Sequence, residues 1–331
     1  MSAEIAVLAG TGKSGRRVAA ALRADGHPVR VASRRAEVRF DWTDDRTWPA
    51  VLDGAGGVYL VAPDDPAPVP PFVAAAERAG LERVVLLSGR GSEAWHGRFG
   101  RSMAAAEDAV RGSGLRWTVV RPNNFMQNFT EDLFHAPLLA GRLALPADGV
   151  PEPFVDLDDV AAVVARLLTA DGHAGRTYDL SGPTALTFAQ AVATIAAAAG
   201  RPIRYETLTP DAYAAELRAG GLGEWAAELN GMFAIMAEGH IAAPAGGVEE
   251  VLGLPPRSFA DWVARTAPTG VWTPGGLTPH AFGPTTSSSA ATAARRATEI
   301  VSARGRRWAI PSRSSAAAQR ARMSADLFEK K

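Results

Sequence analysis

Gly10, Gly12 and Gly15 stand in the hexapeptide Gly10-Thr11-Gly12-Lys13-Ser14-Gly15, which has the spacing G-x-G-x-x-G. The chemistry this spacing serves is the binding of a phosphorylated ligand by backbone. The first glycine permits a tight turn, the second lets N–H groups approach a pyrophosphate, and the third lets the next helix pack closely with its amino terminus facing the anion. Lys13 is the only lysine before residue 330. It either favours a phosphate or is a solvated turn residue. Further along, Val31-Ala32 runs into Ser33-Arg34-Arg35, where an NAD site would offer an acidic residue to the ribose hydroxyls. A hydroxyl beside a guanidinium suits a ribose 2′-phosphate instead, because arginine forms two parallel bonds to phosphate oxygens. The expected cofactor is therefore NADP(H), held by Gly10, Thr11, Gly12, Lys13, Ser14, Gly15, Ser33 and Arg34. Asp41 is placed to meet the adenine amino group or to cap the next helix.

These groups need a frame. Glu4 to Ala9 is a short apolar run ended by glycine, and Val18, Ala19 and Leu22 then recur at helical spacing. The alternation continues with strands over 28–32, 38–40, 57–62, 83–87 and 116–120 and helices over 71–79 and 103–111. Nearly all-apolar strands alternating with helices predict an α/β fold, a Rossmann-type doubly wound parallel sheet covered on both faces. After Arg121-Pro122 the rhythm changes. Helices are expected over 160–168, 188–199, 211–219 and 224–238, with two strand-like pieces at 176–180 and 203–207. This reads as a smaller, mostly helical substrate subdomain over the carboxyl edge of the sheet, where open α/β sheets bind ligands. The expected division is 1–122 for the nucleotide, 123–274 for the substrate side, with segments that interleave with the sheet, and 275–331 as a tail.

Composition narrows the chemistry further. The chain has 331 residues, 47% of them hydrophobic, and no cysteine, so disulfides, thiolate nucleophiles and cysteine-held metals are excluded. Six scattered histidines lack ligand spacing, and no metal is expected. Asp156, Asp158 and Asp159 look like a metal cluster, but Asp156 or Asp158 is read instead as the cap of the helix beginning near Val160. No apolar run reaches membrane-spanning length and no signal peptide precedes the first strand, so a cytoplasmic location is the default expectation. The tail from Gly275 holds ten basic and three acidic side chains, which makes it +7 and the rest −7. It is rich in Ser, Ala and Thr and is expected to be disordered. Nucleic acid is not the expected partner, a small molecule is, and oligomeric state is not legible.

The loop Gly10 to Gly15, the strand ending Ser33-Arg34, Phe40-Asp41-Trp42, the strand Val84 to Ser88 and the stretch Ser113 to Asn128 together resemble the NmrA-like group of atypical short-chain dehydrogenases/reductases. Val31 to Arg34, Phe40 to Trp42 and Pro256-Arg-Ser-Phe259 are similar to its ergot-alkaloid branch, the agroclavine and festuclavine dehydrogenase type. The resemblance spans residues 4 to 268. It implies NADP(H), a substrate cleft and, in that branch, hydride reduction of an iminium carbon. It also implies that Ala62, Pro63, Ser88, Pro122, Asn123, Asn124 and Phe125 lie along the cofactor, and that one of Asn123, Asn124 and Asn128 orients the nicotinamide while the others only satisfy loop backbone.

Relatives in the wider superfamily commonly carry a tyrosine and, four residues on, a lysine. Here those places hold Phe99 and Met103, and none of Tyr59, Tyr178, Tyr205 and Tyr213 is followed by lysine at that spacing. A phenol acidified by an ammonium delivers the proton that accompanies hydride transfer to a carbonyl, and neither replacement can. Two readings remain. One is a reductase whose substrate needs only hydride, an iminium, quinone or enone. The other is a non-catalytic NADP(H)-binding sensor that reports redox state to a partner. A sulfur- and aromatic-rich wall of Phe125, Met126, Phe129, Phe134, Met232, Phe233 and Met236 favours the enzyme, although such spacing also suits plain core. Ser88 and His96 are candidates for polar help at the reacting end.

Overall fold

The computed structural model describes residues 3–95, 97 and 99–275. His96 and the basic tail beyond Gly275 lie outside the described residues. In chain order the first region holds β1 (Glu4–Leu8), α1 (Gly15–Ala24), β2 (Val29–Ser33), β3 (Val38–Arg39), α2 (Trp48–Leu52), β4 (Ala55–Val61), α3 (Val69–Arg78), β5 (Arg83–Leu87), α4 (Arg101–Arg111) and β6 (Arg116–Pro122). Next come α5 (Asn128–Glu131), α6 (His135–Leu139), β7 (Arg142–Leu145), β8 (Pro151–Glu152), α7 (Leu157–Thr169), β9 (Arg176–Leu180) and β10 (Leu186–Thr187). The chain continues through α8 (Phe188–Ala199), β11 (Arg204–Thr207), α9 (Pro210–Ala219), α10 (Ala226–Ala237), α11 (Gly247–Leu252) and α12 (Phe259–Thr266).

Seven strands form one parallel sheet in the order β3-β2-β1-β4-β5-β6-β9. Its two faces follow from period-two alternation. Ile5 and Val7 pack with Val18 and Leu22 of α1 and with Val160, Val163 and Val164 of α7, whereas Ala6 and Leu8 pack with Phe72 of α3 and Val110 of α4. The chain leaves β1 in one direction and β4 continues in the other, so a crevice opens at the carboxyl ends between them.

The expected strands and helices appear with ends moved by a few residues, and α10 is preceded by a short 3-10 turn, Gly223–Trp225. The segment 176–180, read as an interruption among helices, is the outer strand β9, paired with β6 from Thr118 to Pro122. The region after residue 122 thus supplies a strand and α7 to the nucleotide-binding sheet. Asp156 caps α7 through Asp158 N, the role expected for it. A separate core of Phe129, Phe134, Phe154, Phe188, Phe233 and Trp272 holds the helical region together. Among the described residues no helix is long and apolar enough to cross a membrane, and no three His, Asp or Glu gather to hold a metal.

Candidate active site

The glycine loop joins β1 to α1 at the crevice. A Cβ on Gly15 would sit 2.3 Å from Ala9 O, and one on Gly10 would sit 2.8 Å from Val7 O and 2.7 Å from the Val31 side chain. Both positions accept only glycine without a shift. The turn is closed by Gly12 N–H to Ala9 O at 2.8 Å and tied to β2 by Gly10 N–H to Ala32 O at 3.1 Å. Among the described residues nothing accepts from the N–H groups of Thr11, Lys13 and Ser14, and α1 starts without a side-chain cap. Unpaired amides at the mouth of a helix of this length fit a pyrophosphate. Ser14 itself is buried.

Lys13 departs from one of its two sequence expectations. It is only 2% exposed, so it is not a solvated turn residue, and its ammonium donates to Asn128 Oδ1 at 2.6 Å and pairs with Asp132. It also lies 5.3 Å from the centre of the Phe125 ring. One turn further along α1, Arg16 and Arg17 both pair with the Glu131 carboxylate. The cationic edge of the phosphate loop is thereby fastened to α5, and its charge is already partly balanced before any phosphate arrives.

From this loop a cleft of about 1430 Å³ runs along the carboxyl ends of the strands and under α10. Its nucleotide end is lined by Thr11, Lys13, Ser33, Arg34, Asp41, Ala62 and Pro63. Ser33 Oγ accepts from Thr11 Oγ1 at 3.1 Å, which joins the end of β2 to the loop. Asp41 accepts from Thr43 N–H and Oγ1 at 3.0 and 2.8 Å, so it closes a turn while facing the cleft.

The other end is lined by Ser88, Trp95, Phe99, Met103, Pro122, Asn123, Asn124, Phe125, Asn128, Met232 and Met236. No tyrosine lines the cleft among the described residues, and Lys13 is its only lysine. Phe99 meets Trp95 edge to face at 5.5 Å, an apolar contact on the cleft wall. The expected wall is corrected in part: Met126, Phe129 and Phe233 are at most 1% exposed and belong to the helical core. On α10, Met232 and Met236 lie one turn apart and share the cleft face, while Phe233 is rotated about 100° away from Met232, into the core.

Polar support beneath the cleft comes from residues that sequence spacing did not single out. Ser88, considered as a ligand for substrate, is buried and donates to Glu107 Oε1 at 2.5 Å. Glu107 is held by Arg121 through Nε at 2.9 Å and Nη2 at 2.6 Å. Burial works against the Arg121 charge, but Glu107 and Glu93 outweigh it and keep the guanidinium above its ordinary value. Arg90, on the cleft wall, donates to Asn123 Oδ1 at 2.9 Å and to Ala243 O at 2.6 Å. Asn123 in turn donates to Glu152 Oε1 at 3.0 Å, and burial pushes the Glu152 carboxyl up. None of these partners lies close in sequence, so no local pattern reveals them.

A family model described as NAD(P)H-binding matches residues 9–171. An NAD(P)H azoreductase from Xenophilus azovorans is 31% identical over 282 residues, covering 80% of this chain and 98% of the relative. The (4-alkanoyl-5-oxo-2,5-dihydrofuran-3-yl)methyl phosphate reductase of Streptomyces griseus is 36% identical over 283 residues, with 80% and 98% covered. The ergot-alkaloid likeness is present too, in festuclavine synthase II of Penicillium roqueforti, at 30% identity over 78% of this chain and 96% of the relative. Among solved structures, the NADPH-dependent quinone oxidoreductase QOR2 of Escherichia coli complexed with NADPH shares the fold with a TM-score of 0.69 at 22% identity, covering 79% of this chain and 99% of that one. The free-amide loop, the cleft beside it and relatives of nearly full length agree: the chain belongs to the NmrA-like, NAD(P)H-binding group of atypical short-chain dehydrogenases/reductases, a family of NAD(P)H-dependent oxidoreductases.

Proposed function

We propose that the chain is an NADP(H)-preferring reductase that acts on a small molecule already electrophilic enough to take hydride without a tyrosine–lysine proton relay. The observation that carries this reading is that Phe99 and Met103, the residues the resemblance aligns with that relay, both line the cleft wall. When bound, the reduced nicotinamide supplies the hydride. The chain supplies position and dryness: loop amides and Arg34 hold the phosphates, while Trp95, Phe99, Met232 and Met236 exclude water and lay a flat substrate along the cleft. An iminium then becomes an amine with no proton needed. An enone or quinone becomes an enolate or hydroquinone anion, which takes its proton from solvent water, leaving hydroxide, without a side-chain acid. The dihydrofuranone named in the Streptomyces griseus relative, a ring enone by its name, supports this substrate class.

NADP(H) preference rests on Ser33 and Arg34 at the end of β2, with no carboxylate on that strand end to hold a 2′-hydroxyl. The test is oxidation of NADPH and of NADH against quinones, cyclic enones and cyclic imines. The expected result is turnover of at least one class, and binding of NADPH about tenfold or more tighter than NADH, the scale of one charge-assisted contact. Tight NADPH binding with no turnover of any class would instead identify a non-catalytic sensor, and equal dissociation constants would remove the NADP(H) preference.

A further inference from the structure

Glu152 is wholly buried in the short strand β8, at 0% exposure, and the hydride chemistry above gives it no role. Three donors converge on one of its oxygens: Asn124 N–H at 2.8 Å, Asn123 Nδ2 at 3.0 Å and Asn124 Nδ2 at 3.3 Å, all onto Oε1. Its other oxygen, Oε2, has no hydrogen-bond partner among the described residues. A buried carboxyl is costly, and this one is held on a single side by two neighbouring asparagines. Asn123 is consumed in the arrangement, since it also accepts from Arg90 and donates to Ile241 O at 3.2 Å.

Asn124 is not consumed. Its Nδ2 is committed to Glu152 and to Met236 Sδ at 3.6 Å, whereas no donor reaches its Oδ1 among the described residues, and the residue lines the cleft. We propose that Glu152 is a positioning residue that locks the Asn124 amide in one orientation, so that Asn124 offers a ligand its carbonyl oxygen and never its NH2. The group that fits this acceptor at the carboxyl ends of β5 and β6 is the carboxamide N–H of the nicotinamide. The inference rests on the proposed cofactor reading. Burial raises the Glu152 carboxyl, and Oε1 remains an acceptor whether or not Oε2 carries a proton.

The probe is the reduced 3-acetylpyridine analogue of NADPH, in which a methyl replaces the carboxamide NH2. Dissociation constants of both nucleotides are measured by energy transfer from tryptophan, without turnover. The unmodified chain should bind NADPH about fivefold to tenfold tighter than the analogue, the scale of one hydrogen bond. Glu152→Gln keeps an oxygen for Asn124 N–H and should preserve that ratio. Glu152→Met fills the volume without an acceptor, frees the amide to turn, and should bring the ratio to near one. Asn124→Ala leaves the Glu152 bond to backbone in place and should do the same, and it decides the matter if Glu152→Met does not fold. A folded Glu152→Met or an Asn124→Ala that keeps the ratio would overturn the proposal, as would Glu152→Gln losing it. A native chain that binds NADPH with a ratio near one overturns this inference alone, and one that binds no NADPH at millimolar concentration overturns the cofactor reading beneath it.

Discussion

The two ends of the cleft are built by different means. At the nucleotide end the proposed ligands are backbone amides, and their placement depends on two positions where any Cβ collides with main chain. At the substrate end the wall is side chains on α10 and on the segment before α4, where methionine and aromatic residues meet other side chains that can adjust. The first surface is specified by steric prohibition and tolerates one ligand shape. The second is specified by volume and polarity and can be repacked without losing the fold.

The largest expected effect divides the substrate end itself into core and wall. Phe233→Ala removes a ring that packs against Phe188 and Tyr213 and should cost about 3–5 kcal/mol of stability by denaturant titration. Met232→Ala, one residue away and half-buried at the cleft, should cost below about 1 kcal/mol and act on KM instead. Equal losses would erase the distinction between core and wall on α10. At the nucleotide end, Gly15→Ala forces the turn apart and should cost about 1–3 kcal/mol and weaken NADPH binding about a hundredfold or more. Wild-type affinity in that variant would show that the amides do not hold the phosphates.

A smaller effect tests the fastening between the two ends. Asp132 neutralises Lys13 at the rim of the phosphate loop. Asp132→Asn removes a negative charge beside the arriving phosphates and leaves Lys13 unbalanced, so NADPH affinity should rise by about fivefold, near 1 kcal/mol of charge interaction. Raising the salt should shrink the gain. Weaker binding in this variant would mean that the Lys13–Asp132 pair is needed to shape the loop, and that α5 belongs to the nucleotide end.

The same division explains what the sequence disclosed. Gly10 to Gly15 and Ser33-Arg34 are legible because each is a local feature at the carboxyl end of a strand, whereas Ala62, Pro63 and Pro122 to Phe125 enter only through the family resemblance; all of them meet at one edge because the sheet is parallel. The helical wall was half legible. Spacing shows that Met232 and Met236 share a face, but not which face of α10 meets the cleft, so Phe233, Phe129 and Met126 were grouped with them. The polar hubs were not legible at all. Lys13 finds its partners at Asn128 and Asp132, and Glu152 finds Asn123 and Asn124, across separations over which no periodicity operates.

The smallest expected effect is the most informative about chemistry. Phe99→Tyr with Met103→Lys restores the residue types of a proton relay on the cleft wall. If the natural substrate takes only hydride, the barrier contains no proton transfer for the pair to lower, and kcat with that substrate should stay within about threefold of wild type or fall as water follows the new ammonium into an apolar wall. Comparison of kcat in H2O and D2O sharpens the result, since a hydride-only step should show little solvent isotope effect in either protein. A gain of orders of magnitude would show instead that the native site is a carbonyl reductase missing its acid, and the substrate end would then be specified by a lost catalytic group rather than by its apolar shape.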